Sequence, residues 1–186
     1  ALEEGAKRIV IGLGGSATND AGLGMLMALG ITFHDINDSL LTHGGGALAS
    51  LHKLDNTSLH AKISDTIFEV ACDVTNPLCG LLGASAVFGP QKGACPEQVN
   101  ILDEALSHFA TICGQHGYED CQHVAGAGAA GGLGYAMMTF FKAQLKSGFD
   151  TVAEVAHLSQ HIAEADLVIT GEGKLDAQTA MGKVAG

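Results

Sequence analysis

Positive charge is scarce in this chain. Its 186 residues hold 9 Lys and Arg against 20 Asp and Glu, a formal net charge of −11. That balance argues against a nucleic-acid partner or an anionic membrane surface, both of which ask for a basic face. A site for a small anion would therefore have to be locally positive or use a metal, which gives Lys92, Lys174 and Lys183 weight beyond their number. Paired cysteines are missing as well. Cys72, Cys79, Cys95, Cys113 and Cys121 form an odd set without a C-x-x-C spacing. That excludes a disulfide framework or a zinc ribbon and fits a reducing cytoplasm. Each reads as a small buried hydrophobe rather than a nucleophile. No apolar run approaches membrane-spanning length, and the start of the chain lacks the basic-then-apolar layout of a signal peptide. The expectation is a soluble, cytoplasmic protein with no membrane partner; a homo-oligomer is left open. Neither G-x-x-x-x-G-K-[ST] nor G-x-S-x-G occurs, so the sequence offers neither a P-loop nor a nucleophile elbow.

What is present is apolar residues and glycine. Apolar residues make up 47% of the chain and charged ones 16%, enough for one sizeable core, with room for part of a second domain. The 26 glycines cluster beside apolar runs without a fixed period and read as turns and close-approach sites. Residues 6–13 predict a buried parallel strand, 20–29 a helix stopped by Gly30, and 31–33 a second strand. Residues 37–50 read as loop around Gly44, Gly45 and Gly46, and 51–59 is ambiguous. A strand at 67–74 ends at Thr75-Asn76-Pro77. The spacing of Val99, Leu102, Leu106, Phe109 and Cys113 predicts a helix over 96–116 with Pro96 in its first turn. A glycine-rich entry at 126–132 leads into a helix reaching about 146. Asp150 caps a helix running to about 160, and 166–170 is a strand. Strands alternating with helices predict an α/β fold, a parallel or mixed sheet flanked by helices.

The organising stretch is Gly12-Leu13-Gly14-Gly15-Ser16-Ala17-Thr18-Asn19-Asp20, an apolar strand followed by a glycine turn and a helix. Such a turn brings backbone N–H groups close to a phosphate or carboxylate, and a helix N-terminus adds partial positive charge. Ser16, Thr18, Asn19 and Asp20 can cap the helix or touch a ligand. Three other loops share the design: Asp73 to Asn76, Gly89 to Gly93, and Gly171 to Asp176. In parallel α/β sheets such loops converge beyond the carboxyl ends of the strands, which points to a polar small-molecule cleft. Gly12-x-Gly14-x-x-Ala17 also satisfies the dinucleotide fingerprint, with Asp35 or Asp38 at the distance of a ribose-binding acid. Gly126-x-Gly128-x-x-Gly131 repeats the glycine pattern after a poor strand. His157 and His161, near Glu154 and Glu164, have metal-ligand spacing but fit a solvated helix face better. The residues alone leave open a small-anion-binding domain without catalysis and a dinucleotide-binding oxidoreductase.

Several segments together resemble the glycerate kinase family, of the type unrelated to P-loop kinases. They are Gly14 to Asp20; Ala71-Cys72-Asp73-Val74 with Asn76-Pro77-Leu78; the run Gly83-Ala84-Ser85-Ala86-Val87-Phe88-Gly89-Pro90-Gln91-Lys92-Gly93-Ala94; Gly126 to Gly132; and Ala165 to Gly173. Asp176, Gln178-Thr179 and Gly182-Lys183 follow in order. The ordered set spans nearly the whole chain. The resemblance implies a phosphotransferase that moves the ATP γ-phosphoryl group, with Mg²⁺, to a hydroxyl of D-glycerate. It implies that Gly14, Gly15, Ser16, Thr18, Asn19 and Asp20 bind a phosphate or the glycerate carboxylate, with Asn76, Glu172 and Lys183 as further binding residues. Lys92 would supply charge to the transferring phosphate. Asp73, Glu172 and Asp176 would ligate Mg²⁺ or accept the hydroxyl proton, which makes Asp73, Lys92 and Asp176 the catalytic set. The family's usual chain is about twice as long, beginning with an Asp-Ser-Phe-Lys-like segment and continuing past Gly186. The expectation is therefore a partial glycerate kinase. Residues 1–186 would be mostly the inserted α/β domain of a two-domain architecture, and about 165–186 the edge of a second, Rossmann-like domain. Such a fragment would be catalytically inert.

Overall fold

The computed structural model describes residues 1–169 and 171. The chain divides into two compact units, Ala1–Leu145 and Lys146–Gly186. Strands β1 (Arg8–Gly12) and β4 (Ile67–Ala71) run parallel, with Arg8 opposite Ile67 and Gly12 opposite Ala71. With β5 (Gln144–Lys146) they make a three-stranded sheet of order β1-β4-β5. β4 is the buried centre, whereas β1 alternates exposed and half-buried residues. The expectation of a fully buried first strand is corrected: β1 has a ladder partner on one side alone among the described residues. The register is pinned across the pair by Arg8, whose Nη2 and Nε lie 2.6 and 3.0 Å from Glu69 Oε2.

Helix α1 (Leu23–Ala28) ends in a Schellman motif: the Gly30 N–H donates to the Met27 carbonyl and the Ile31 N–H to that of Leu26. Gly30 holds φ +100°, and a Cβ there would strike the Ser58 carbonyl, so glycine stops this helix for two independent reasons. The second strand, β2 (Thr32–His34), leaves the parallel sheet and forms a two-stranded antiparallel ribbon with β3 (Lys53–Asp55). The stretch that periodicity left ambiguous thus contains β3. A 3-10 turn over Gly45–Ser50 lies between the two strands.

After β4 come the short helix α2 (Ala84–Phe88) and a 3-10 turn over Pro90–Lys92. The long helix α3 (Pro96–Gln115) follows, as its heptad-like face predicts. Phe109 of α3 is the hub of the core. Its ring centroid lies 6.0 Å from those of Phe33 and Tyr135 and 6.2 Å from that of Phe140. Helix α4 (Ala129–Phe141) packs on β4, with Phe141 5.1 Å from Phe68. It ends at Phe141 because Lys142 turns left-handed, and residues 144–146 become β5 rather than helix.

In the second unit, Ser147 accepts the Asp150 N–H at 3.1 Å and so caps α5 (Gly148–Val155). The cap is Ser147, with Asp150 inside the first turn, where its charge suits the helix dipole. His157, at φ 50°, breaks the chain before α6 (Leu158–Glu164). The single helix expected to run to about 160 is two. His157 and His161 therefore do not share one helix face, and no metal-binding cluster of His, Cys, Asp or Glu occurs among the described residues. Residues 166–169 form no strand, for they have no ladder partner among the described residues. No helix among the described residues is long and apolar enough to cross a membrane.

Candidate functional site

Because β1 and β4 are parallel and in register, their C-terminal ends release two loops at one edge of the sheet. One carries Gly14 to Asp20, the other Asp73 to Asn76. The Leu13 N–H donates to the Ala71 carbonyl at 3.2 Å and is the last ladder bond of the first loop. From Gly14 to Asn19, no N–H has a protein acceptor among the described residues. The loop therefore presents a row of open donors.

The helix that follows does not begin at this row. Ala21 and Gly22 are left-handed, at φ 50° and 67°, so α1 starts at Leu23 and is only 6 residues long. Asp20 Oδ1 accepts the Gly22 N–H at 3.1 Å. The expected helix-dipole contribution is thus corrected. Among the described residues, positive charge here comes from loop N–H groups and from one lysine.

That lysine is Lys92. Its Nζ donates to the Thr18 carbonyl at 2.6 Å. Burial pushes the Lys92 ammonium below the ordinary lysine pKa, while the Asp20 carboxylate pulls weakly the other way. No carboxylate lies within ion-pair distance of Lys92 among the described residues. An ammonium partly desolvated and satisfied at one of its three donors is poised for an anion.

Two cavities meet at Lys92. The larger, about 660 Å³, is bounded by residues 17–20, by Gly44–Gly46, by the turn at 89–94, and by Gln98, Ile101 and Leu102 of α3. Asp20 and Lys92 are the acid and base among its lining residues. The smaller, about 210 Å³, is lined by Leu13–Ser16, Val74, Phe88, Gln91, Lys92 and Ala130. Gly14, Gly15, Ser16, Thr18, Asn19, Asp20 and Lys92 are therefore brought together. Asp73 is exposed on the neighbouring loop, next to Val74. Asn76 stands apart from both cavities: its Nδ2 donates to the Leu82 carbonyl at 2.8 Å and its own carbonyl accepts the Gly128 N–H at 2.9 Å. Glu172, Asp176 and Lys183 lie outside the described residues.

Three further features complete the site. Gly44–Gly46 form a wall of the larger cavity, and a Cβ on Gly45 would run into the Asn19 carbonyl. Ser85 is wholly buried and takes a 2.8 Å hydrogen bond from Asn19 Nδ2. Gln98, Ile101 and Leu102 are one helical face, legible as i, i+3, i+4. The second glycine pattern serves close packing, and its Ala130 also lines the smaller cavity. Ala130, Gly131 and Gly132 are left-handed in succession, and a Cβ on Gly131 would collide with the Thr18 carbonyl and sit 2.5 Å from Asn19 Cα. This ridge is the floor on which the first loop lies.

The dinucleotide reading fails on topology. β2 is not in the sheet of β1, so no parallel βαβ unit brings an acid to the ribose position. Asp35 Oδ1 accepts the Asn37 and Ser39 N–H groups in a tight turn, and Asp38 pairs with Lys53 at 2.6 Å.

The model of the glycerate kinase family matches residues 1–186. The chain belongs to the glycerate kinase family. It is 50% identical over 183 residues to a glycerate kinase of Haemophilus influenzae, which covers 98% of this chain and 48% of that protein. It is 50% identical over 184 residues to the glycerate 2-kinase of Escherichia coli K12, covering 99% of this chain and 48% of that one. A solved structure of a protein assigned as glycerate kinase 2 from Salmonella typhimurium LT2 superposes with a TM-score of 0.88 at 49% identity, covering 98% of this chain and 49% of its own. The chain spans about half the length of the curated relatives it matches. The α/β glycerate kinase architecture, with its parallel pair β1 and β4, is that of the family.

Proposed function

We propose that this chain forms the anion-handling part of an ATP-dependent glycerate kinase that phosphorylates the 2-hydroxyl of D-glycerate. The observation that carries the reading is Lys92 on the Thr18 carbonyl, between two cavities and beside open N–H groups. Phosphoryl transfer asks for alignment and charge neutralisation rather than covalent help from the protein. In this reading the N–H row of Gly14–Asn19 binds a phosphate or the glycerate carboxylate, helped by Ser16 and Thr18. Lys92 neutralises charge that develops on the transferring phosphoryl group. Asp20, beside Lys92, is placed to accept a hydrogen bond from substrate. The assignment to the 2-hydroxyl follows the name of the Escherichia coli relative.

Magnesium ordinarily takes one or two protein carboxylates and completes its shell with phosphate and water. Asp73, exposed at the sheet edge, fits as one such ligand, with Glu172 or Asp176 as the second and the other acid free to accept the hydroxyl proton. The ion, when bound, supplies charge neutralisation to the phosphate oxygens. Asn76 acts by holding its loop to Gly128 and Leu82, and Lys183 adds a second cation for the nucleotide phosphates. The same proposal places residues 1–186 mostly in an inserted domain, with about 165–186 at the edge of a second one, in a cytoplasmic enzyme.

The test is the full natural polypeptide mixed with ATP, Mg²⁺ and D-glycerate, with product followed by ³¹P NMR. The expected result is 2-phosphoglycerate that needs all three components. A folded protein giving no phosphoglycerate would overturn the reading, and 3-phosphoglycerate would overturn the choice of hydroxyl alone.

A further inference from the structure

A closed circuit of hydrogen bonds runs through the site. Asn19 Nδ2 donates to Ser85 Oγ at 2.8 Å. The Ser85 carbonyl accepts the Gly89 N–H at 2.9 Å, and the Gly89 carbonyl accepts the Lys92 N–H at 2.9 Å. Lys92 Nζ then returns to the Thr18 carbonyl at 2.6 Å, one residue from the start. The arm from Ser85 to Lys92 is a helix of 5 residues followed by a 3-10 turn of 3. Such short pieces are not rigid on their own. Here both ends are tied to the same loop.

We infer that Ser85 is a positioning residue for Lys92: its hydroxyl anchors the α2 arm to Asn19 and so sets where the ammonium stands on the Gly14–Asp20 loop. The inference rests on the reading of Lys92 as the phosphate-facing cation. Asn19 is a fixed anchor because its backbone is wedged between two glycines. A Cβ on Gly45 would strike the Asn19 carbonyl and a Cβ on Gly131 would crowd its Cα. Ser85 is fully buried, so no water can take its place in the bond without a cavity. The Asn19 carboxamide depends on it as well, for Oδ1 is buried with no partner. Without the Ser85 hydroxyl both ends of that amide would be orphaned, a state that folded proteins avoid by shifting the groups concerned. The shift would release the arm that carries Lys92. Among described charged groups, Asp20 is the one that acts on Lys92, and burial against the loop acts the other way.

The experiment compares the full natural polypeptide with Ser85→Ala, Asn19→Ala and the double variant. Folding is checked by circular dichroism. The Lys92 side chain is titrated by NMR, its signal assigned by its loss in Lys92→Arg. In Ser85→Ala the Lys92 midpoint is expected to move up towards the ordinary lysine value, because the ammonium regains solvent. The kcat is expected to fall about 10-fold or more, with a smaller change in KM, as for a misplaced catalytic group. The double variant is expected to be no worse than the more damaged single one, because both substitutions cut the same link. A folded Ser85→Ala with an unchanged Lys92 titration, or effects that add in the double variant, would overturn the inference. If Ser85→Ala does not fold, Asn19→Ala is titrated in its place, and an unchanged Lys92 midpoint there overturns the inference equally. The titration needs no turnover, so it decides the role of Ser85 even if the glycerate kinase reading fails.

Discussion

The Lys92 ammonium and the Thr18 carbonyl, 74 positions apart in sequence, meet at 2.6 Å. Burial is the larger influence on that ammonium and pushes its pKa below the ordinary 10.5. The rate of phosphoryl transfer is therefore expected to fall, as pH rises, at a lower pH than an exposed lysine would give. Lys92→Arg should remove this alkaline limb, because a guanidinium does not titrate there. Stability moves with the opposite sign. Between the lowered folded pKa and the unfolded one, the unfolded chain holds more protons, so this group makes folding more favourable as pH rises. Parallel pH profiles of kcat/KM and of urea midpoint, for wild type and Lys92→Arg, check both signs.

Gly131 is the floor of the loop, and its φ of +70° and the Thr18 carbonyl both exclude a side chain. Gly131→Ala is expected to destabilise the protein by about 2–4 kcal/mol, from backbone strain and overpacking combined. Gly15 has a similar φ of +64° but nothing within 4 Å of an added Cβ. Gly15→Ala should cost only about 1 kcal/mol. Urea unfolding of the two variants separates close approach from conformation.

Cys95 is the N-cap of α3, and Gln98 Oε1 accepts the Cys95 N–H at 2.9 Å across the first turn. Cys95→Ser supplies a side-chain oxygen at the cap position and should be neutral or stabilise by up to about 1 kcal/mol, read by urea unfolding. Cys95 is exposed, and burial pushes the Cys79 and Cys113 thiols up to about 12. An alkylating reagent at neutral pH is expected to label Cys95 long before either of those two, read by peptide mass spectrometry.

Glu69 is 8% exposed at its side chain and holds Arg8 across the β1–β4 ladder. Arg8→Leu takes two hydrogen bonds from a buried carboxylate oxygen and is expected to cost about 2–3 kcal/mol. The double variant Arg8→Leu, Glu69→Leu should lose less than the sum of the two single effects, since both cut the same pair. Chemical denaturation of wild type, the two single variants and the double variant measures it.

Much of this was legible from residue spacing. α3 announces itself through Val99, Leu102, Leu106 and Phe109, and Gly30 ends α1 by chemistry that only glycine satisfies. The loop from Gly14 to Asp20 is visible as a candidate site because an apolar strand end runs straight into glycines and short polar residues. What the sequence hides is contact made at a distance. Nothing local says that β2 deserts the parallel sheet for β3, because three residues of strand carry too little pattern to choose a partner. Nothing local says that Gly131 lies under a loop more than a hundred positions away. Ser85 is silent for the same reason: a serine in a short apolar helix reads as filler until Asn19 is placed above it.

The most direct measurement is kcat/KM for ATP-dependent phosphorylation of D-glycerate by the full natural polypeptide and its Lys92→Ala variant, each shown to be folded. Loss of a charge contact to the transferring phosphate is expected to lower kcat/KM by about 10²–10³-fold, the range for removing one donor from a transition-state site. Wild-type kcat/KM in folded Lys92→Ala would contradict it, and with it the claim that this lysine handles the phosphate.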